Sequence, residues 1–324
     1  MGGILLSQKR KDEHLKIAYQ LKVGDNCFDD VEVIHQNLSG LSLDSIDLSA
    51  DFLGFKVDYP FYINAITGGS KKAYEINDFL SKIAHRFNIP MLVGSQTIMI
   101  TNPALTNSFN IVRQNNPKGI VVANVNLNTS IEDINLAIDA IKANALSVHL
   151  NIVQEVVMAE GDRDFSNWPK RLENIIKKIP INVIIKEVGF GMSNDEVKTL
   201  YKMGVKYVDI SGKGGTNFAD IESIRTHHAN LYSSIGKSTV NCLIDLKELD
   251  KKPIIYASGG IRHELDVLKA LLLGAKMVGM AKFFLDLTKL PLADAYDRVE
   301  QFILNLRKLF LIAGIKNINE IKGR

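Results

Sequence analysis

Short apolar runs rich in β-branched residues recur along the chain. They are FYINA (61–65), MLVG (91–94), IVVAN (120–124), LSVHLN (146–151), NVIIKEVG (182–189), YVDISG (207–212), IIYASGG (254–260) and KMVGMA (276–281). They are continuous rather than alternating, the pattern of strands buried on both faces of a parallel sheet. Helix-period stretches lie between them, at 73–87, 130–144, 193–204 and 263–274. The third opens with Ser193 and Glu196, a capping pair, and ends at Gly204; the fourth closes at Gly274. Eight strand–helix units in succession predict an α/β fold, a TIM (β/α)8 barrel. No Pro/Gly-rich linker divides the chain, so residues 1–324 are expected to form a single domain. Residues 1–60 make an N-terminal extension whose stretch LSGLSLDSIDLSADFLG is expected to cover the bottom or side of the barrel. Residues 217–250, after the sixth strand, read as an insertion forming a partly helical lid. An amphipathic terminal helix is expected over 291–312, starting at Pro291.

Composition removes several function classes. Lys plus Arg is 39 and Asp plus Glu is 36, and a net charge of +3 over 324 residues leaves no nucleic-acid footprint. Cys27 and Cys242 are far apart and lack metal-ligand spacing, as idle thiols do in a reducing compartment. The richest apolar stretch, LKALLLGAKMVGMAKFFLDL, is broken by lysines, and no run reaches the roughly 18 residues of a membrane span. The expectation is a soluble cytoplasmic protein without membrane or nucleic-acid partners.

Barrels of this type place their chemistry at the C-terminal ends of the strands. Those ends read Thr67-Gly68-Gly69, Gly94-Ser95-Gln96, Asn124-Val125-Asn126, His149-Leu150-Asn151, Lys186-Glu187, Ser211-Gly212-Lys213-Gly214-Gly215-Thr216, Ser258-Gly259-Gly260 and Gly279-Met280-Ala281. The last two are small turns after the seventh and eighth strands, the usual phosphate site of such barrels. Lys186 sits inside an apolar strand, where an ammonium is costly unless something anionic meets it. A flavin ring would serve; so would a core carboxylate such as Glu187 or Asp209. Thr67, Ser95 and Asn124 could hydrogen-bond a ring edge. In HLNIVQE (149–155), His149 and Asn151 alternate onto one side, and Gln154 and Glu155 follow. Glu155 is a candidate Mg²⁺ ligand, since Mg²⁺ takes carboxylate oxygen together with substrate phosphate. The basic run around Arg10 and Lys11 is a candidate clamp for a phosphate-bearing molecule, although such a run at a terminus is ordinarily a solvated end.

With RKDEHL (10–15), TGG (67–69), GSQ (94–96), HLNIVQE (149–155), EGDRDF (160–165), KEVGFGMS (186–193), DISGKGGTNF (209–218) and ASGGIR (257–262), nearly the whole chain resembles the type 2, FMN-dependent isopentenyl-diphosphate delta-isomerases. The resemblance implies FMN, Mg²⁺ and the reductant NADPH as cofactors. It implies isopentenyl and dimethylallyl diphosphate, interconverted in isoprenoid biosynthesis, as substrates. It assigns Ala65, Ile66, Thr67, Ser95, Asn124, Lys186, Ser211 and Thr216 to the FMN ring and ribityl chain. Gly259, Gly260, Arg262, Met280 and Ala281 fall to its phosphate. Arg10, Lys11, His149, Asn151 and Gln154 fall to the substrate, and Glu155 to the metal. Gln154, Lys186 and His149 then form the catalytic group: Lys186 stabilises the reduced ring, Gln154 orients or relays a proton, and His149 grips the diphosphate more than it moves a proton. A homotetramer is implied too, in which the arm at residues 10–14 could reach a neighbour's site. Two positions depart from the family pattern: Ala159 stands in place of Pro, and Asn126 in place of a small residue. The alternative, an FMN-dependent 2-hydroxy-acid oxidase, needs a His-Gly-x-Arg run after the sixth strand. This chain has SGKGGTNF there, and His227-His228 downstream are followed by no Gly-x-Arg.

Overall fold

In the computed structural model, which describes residues 2–20, 27–227 and 231–321, the eight apolar runs become eight parallel strands. After a hairpin, β1 (Ala50–Phe52) and β2 (Phe55–Val57), come β3 (Phe61–Ile63), β4 (Met91–Leu92), β5 (Val121–Asn126), β6 (Ala145–His149), β7 (Val183–Lys186), β8 (Tyr207–Asp209), β9 (Ile254–Ser258) and β10 (Met277–Met280). They close in the order β10-β3-β4-β5-β6-β7-β8-β9, which is the expected (β/α)8 barrel.

The runs are continuous in sequence because both faces of each strand are covered. One face packs outward into the main core with the ring of helices, through Phe61, Met91, Val121, Leu146, Ile185, Val208, Ala257 and Val278. The alternate residues Tyr62, Leu92, Val122, Ala145, Ile184, Tyr207, Tyr256 and Met277 form a separate apolar cluster inside the barrel. Two residues further along each strand, the same inward period reaches Asn64, Gly94, Asn124, Ser147, Lys186, Asp209, Ser258 and Gly279. The interior is therefore an apolar layer beneath a layer that is polar or glycine throughout.

The hairpin β1–β2 plugs the apolar end. Phe52, Leu53 and Val57 are buried against that inner cluster, and Phe52 lies 5.2 Å from the Tyr62 ring and 5.7 Å from the Tyr256 ring. Its turn residues, Leu53 and Gly54, both have positive φ (53° and 85°), as a two-residue turn of this hand requires. Leucine is rare there. Its backbone is held by Tyr256 Oη, which accepts from Leu53 N–H at 2.7 Å, and by Asn182 Nδ2, which donates to Leu53 O at 2.7 Å.

The extension covers the bottom as expected and reaches the mouth as well, whereas the insertion differs from expectation. Residues 1–60 cover both ends of the barrel: the hairpin closes the bottom, while the helix Gly2–Gln20 lies across the mouth. Only the first part of residues 217–250 is lid-like. The helix Phe218–Thr226 packs on Gly2–Gln20, whereas Thr239–Lys247 packs on Asn194–Lys202 and Glu264–Leu272 in the outer ring, as the ordinary crossover from β8 to β9. Its buried Val240, Leu243 and Leu246 recur with helical spacing, a stripe that belongs on a core rather than on a lid. His228, named above, lies outside the described residues. No helix of the described residues is long and apolar enough to cross a membrane.

Phe52→Ala is expected to cost about 3–5 kcal/mol of stability through the cavity it leaves. Urea unfolding measures this; a loss below about 1 kcal/mol would show that the hairpin is not a plug.

Candidate functional site

The polar layer is the floor of a cavity of about 500 Å³ at the C-terminal end of the barrel, a size typical of small-molecule sites. Its lining gathers Ala65, Ile66, Thr67, Ser95, Asn124, His149, Asn151, Gln154, Glu155, Lys186, Ser211, Thr216, Gly259, Gly260, Met280 and Ala281, with Arg10 and Lys11 from the N-terminal helix. Arg262 is not among them. Its guanidinium forks onto Asp29 (2.6 and 2.8 Å) and Asp266 (2.9 Å), and its backbone N–H donates to Asp266 Oδ2. It ties the extension to the helix after β9. That pairing across 233 residues had no local signal in the sequence.

On the floor, Lys186 Nζ donates to Glu187 O (2.7 Å) and Ser211 Oγ (3.0 Å) and lies 3.3 Å from Asp209 Oδ2. Both readings of this lysine therefore hold geometrically: it pairs with a core carboxylate and it faces the cavity. Glu187 is turned elsewhere. Its Oε2 accepts the N–H groups of Gly189, Phe190 and Gly191, fixing the loop after β7. Burial pushes its carboxyl up to about 7 even though those donors favour the ionised form.

On the wall, His149 Nδ1 lies 3.1 Å from Asn124 Oδ1. Burial, together with the nearby charges of Lys186 and Lys11, depresses its pKa to about 4, so the ring is neutral at physiological pH. Next to it, Asn151 Nδ2 donates to Glu155 Oε1 at 2.7 Å, and Asp162 N–H donates to Glu155 Oε2 at 3.0 Å. The Asn151 Oδ1 is buried without a hydrogen-bond partner. Asn126, the departure noted above, lines the cavity and accepts from Thr129 Oγ1 (2.9 Å), bracing the turn after β5. The loop following Gln154 and Glu155 is stapled by Arg163, whose guanidinium donates to the carbonyls of Glu155, Met158 and Gly161.

The mouth is closed by charges from three separate segments. Arg10 pairs with Glu160 (3.4 Å), Glu160 with Arg225 (3.0 Å), Arg225 with Glu222 (2.7 Å), and Glu222 with His14 (2.6 Å). Lys11 reaches inward to donate to Gly68 O (2.8 Å) and Ser95 O (3.0 Å). Burial and the neighbouring Arg10 lower its pKa to about 7. The arm thus closes over the mouth of its own chain. Leu15, Met158, Phe218 and Ile221 add an apolar roof that the sequence reading missed, because a lid is recognisable only once its partner segments are known.

A family model described as FMN-dependent dehydrogenase matches residues 110–323. The chain is 44% identical to the isopentenyl-diphosphate delta-isomerase of Listeria innocua, over 98% of this chain and 90% of that protein. It is 40% identical to the one from Staphylococcus epidermidis, over 97% and 91%. The chain belongs to the FMN-dependent isopentenyl-diphosphate delta-isomerase family. Among solved structures, a flavocytochrome b2 variant with sulfite bound aligns with a TM-score of 0.71 at 21% identity, over 96% of this chain and 81% of that one. A mandelate oxidase variant aligns at 0.66 and 12% identity, over 97% and 92%. At those identities the likeness is one of fold.

The residues fit the groups this family name implies. For FMN, the turns after β9 and β10 sit side by side, since Ser258 and Gly279 are register partners. Gly259 (φ 89°) is pressed so close that a Cβ would lie 1.9 Å from Gly212 O. Thr239 Oγ1 holds the turn through the carbonyls of Ser258 and Gly259. For Mg²⁺, no group of three or more His, Cys, Asp or Glu side chains is found among the described residues. One carboxylate, Glu155, lines the cavity, a donor suited to an ion that keeps waters and takes its remaining oxygens from a phosphate ligand.

Because His149 has a folded pKa of about 4 against its ordinary 6.5, the folded state binds fewer protons between those values. Its contribution to stability is full above pH 6.5 and is lost as pH falls toward 4. The stability change between pH 7 and pH 4.5 should therefore shrink in His149→Gln by up to about 3 kcal/mol, read from urea midpoints. Parallel pH profiles for the two proteins would refute the assignment.

Proposed function

We propose that this chain interconverts isopentenyl and dimethylallyl diphosphate by a 1,3-proton shift, using reduced FMN, Mg²⁺ and NADPH as the source of reducing equivalents. The observation that carries the reading is the division of one cavity into a polar, lysine-bearing floor, a cationic mouth and an apolar roof. A prenyl diphosphate has a matching division: a small branched hydrocarbon and a polyanionic head. When bound, reduced FMN supplies electron-rich density and a proton-exchanging ring to the alkene.

The chain's own groups divide the remaining work. Arg10 and Lys11 meet the diphosphate, with Lys11 taking full charge as the anion arrives. Glu155 holds Mg²⁺ against the same head group, with His149 and Asn151 beside it. Gln154 orients the alkene and its mobile proton, since an amide is too weak an acid to supply one. Lys186 offers positive charge to the ring edge, where Ala65, Ile66, Thr67, Ser95, Asn124, Ser211 and Thr216 supply the remaining contacts. Gly259, Gly260, Met280 and Ala281 cradle the cofactor phosphate; Arg262 is left out of that set. A proton added to the alkene gives a tertiary cation, which water would quench. Leu15, Met158, Phe218 and Ile221 exclude it, and the Arg10–Glu160–Arg225–Glu222–His14 chain keeps them in place. The same reading makes the protein a single-domain, cytoplasmic homotetramer acting in isoprenoid biosynthesis.

An anaerobic assay tests it. Protein with oxidised FMN, Mg²⁺ and isopentenyl diphosphate is expected to be inactive, and NADPH or dithionite should start many turnovers without stoichiometric consumption. One NADPH lost per product would defeat the proposal. Glu155→Gln should raise the Mg²⁺ requirement and the KM while leaving the protein yellow; loss of FMN with an unchanged Mg²⁺ response would contradict the role given to Glu155.

A further inference from the structure

Asp209 is fully buried and does not line the cavity, yet it is the centre of the floor's hydrogen bonding. Its carboxylate accepts from Tyr62 Oη (2.7 Å), from Ser258 Oγ (2.8 and 2.9 Å to its two oxygens) and from Ser211 N–H (3.1 Å). It lies 3.3 Å from Lys186 Nζ, and Lys186 does line the cavity. The lysine also donates to Glu187 O, Ser211 Oγ and Ser258 Oγ, at 2.7, 3.0 and 3.5 Å. The two charges are neighbours on adjacent strands, and of the two only the lysine lines the cavity. An isolated ammonium would act on the cavity as a full unit charge. Paired in this way it acts as a short dipole, whose field is weaker and falls off faster. Tyr62 and Ser258 donate to the carboxylate and offset part of its charge, so they also bear on how much of the lysine's field survives.

We propose that Asp209 is a positioning residue that sets, through Lys186, how strongly the cavity stabilises negative charge on a bound flavin, and so sets the flavin's reduction potential. The inference rests on the flavin reading above. Asp209→Asn keeps the shape and removes the counter-charge, while Lys186 keeps its three oxygen acceptors. The reduced form of FMN should then be favoured on the order of tenfold more than in the wild type, a rise of about 30 mV for a two-electron couple. Tyr62→Phe removes one donor from the carboxylate, strengthens the counter-charge, and should move the potential the opposite way by a smaller factor.

Both are read on FMN-loaded protein by anaerobic reductive titration against a reference dye. A purely structural role for Asp209 would change FMN affinity and melting temperature without this pair of opposite shifts. An unchanged or lowered potential in Asp209→Asn, or a rise in Tyr62→Phe, overturns the proposal. Should Asp209→Asn fail to hold FMN, the sign of the Tyr62→Phe shift alone decides. Wild-type protein that takes up no flavin would instead sink the flavin reading itself, and this inference with it.

Discussion

The inward face of the barrel imposes the constraint on which the site depends. A (β/α)8 interior is narrow, so each level holds one ring of side chains. Here one level is apolar and sealed from below by Phe52 and Leu53, and the next is polar or glycine. Charge placed on that second level has a dry layer beneath it and can be compensated only sideways or from the cavity. Lys186 and Asp209 are compensated sideways, by each other and by Tyr62, Ser211 and Ser258. Removing one member of such a buried pair would leave an uncompensated charge, which is far more costly than never having had the pair. The floor is therefore rigid in charge as well as in shape.

The mouth obeys the opposite logic. Its ion pairs join three segments distant in sequence, and several members are partly exposed: Arg10 and Glu160 have side-chain exposures of 25% and 44%. Such pairs are individually weak and screened by salt. Glu222 is the exception, since it is buried and takes both His14 and Arg225. A closure built mainly of weak contacts around one buried acid can open for ligand entry, which a floor like the one beneath it could not do.

Much of this was legible in the chain. The eight apolar runs gave the strands because barrel strands are covered on both sides, and the polar residues at their ends marked the mouth. Ser193 does cap its helix, accepting from Glu196 N–H at 3.1 Å. What could not be read was pairing at long range. The resemblance placed Arg262 on a phosphate; only the fold shows Asp29 arriving beside it. Residues 10–14 read as a phosphate clamp, a solvated end or an arm to a neighbour, and nothing local says that they dock over their own barrel, because a helix with little amphipathic pattern does not announce its docking surface. The helix Thr239–Lys247 reads as part of a lid in sequence because no strand separates it from the helix Phe218–Thr226.

The span of the family match separates what the fold carries from what distinguishes this chain. The FMN-dependent dehydrogenase model covers residues 110–323, which include Lys186, Asp209 and the turns at Gly259 and Met280. The arm that brings Arg10, Lys11 and His14 to the mouth lies before that span. Relatives at 40–44% identity align over 97–98% of this chain and so extend across the arm, whereas structures that share the barrel at 12–21% identity include a mandelate oxidase and a flavocytochrome b2. At those identities what is shared is the barrel. The one arginine among the described residues lining this cavity is Arg10, and it belongs to the arm, outside the span that the family model matches. What this chain sets above its floor is a cationic arm and an apolar roof, a division that suits an ionised head on a hydrocarbon.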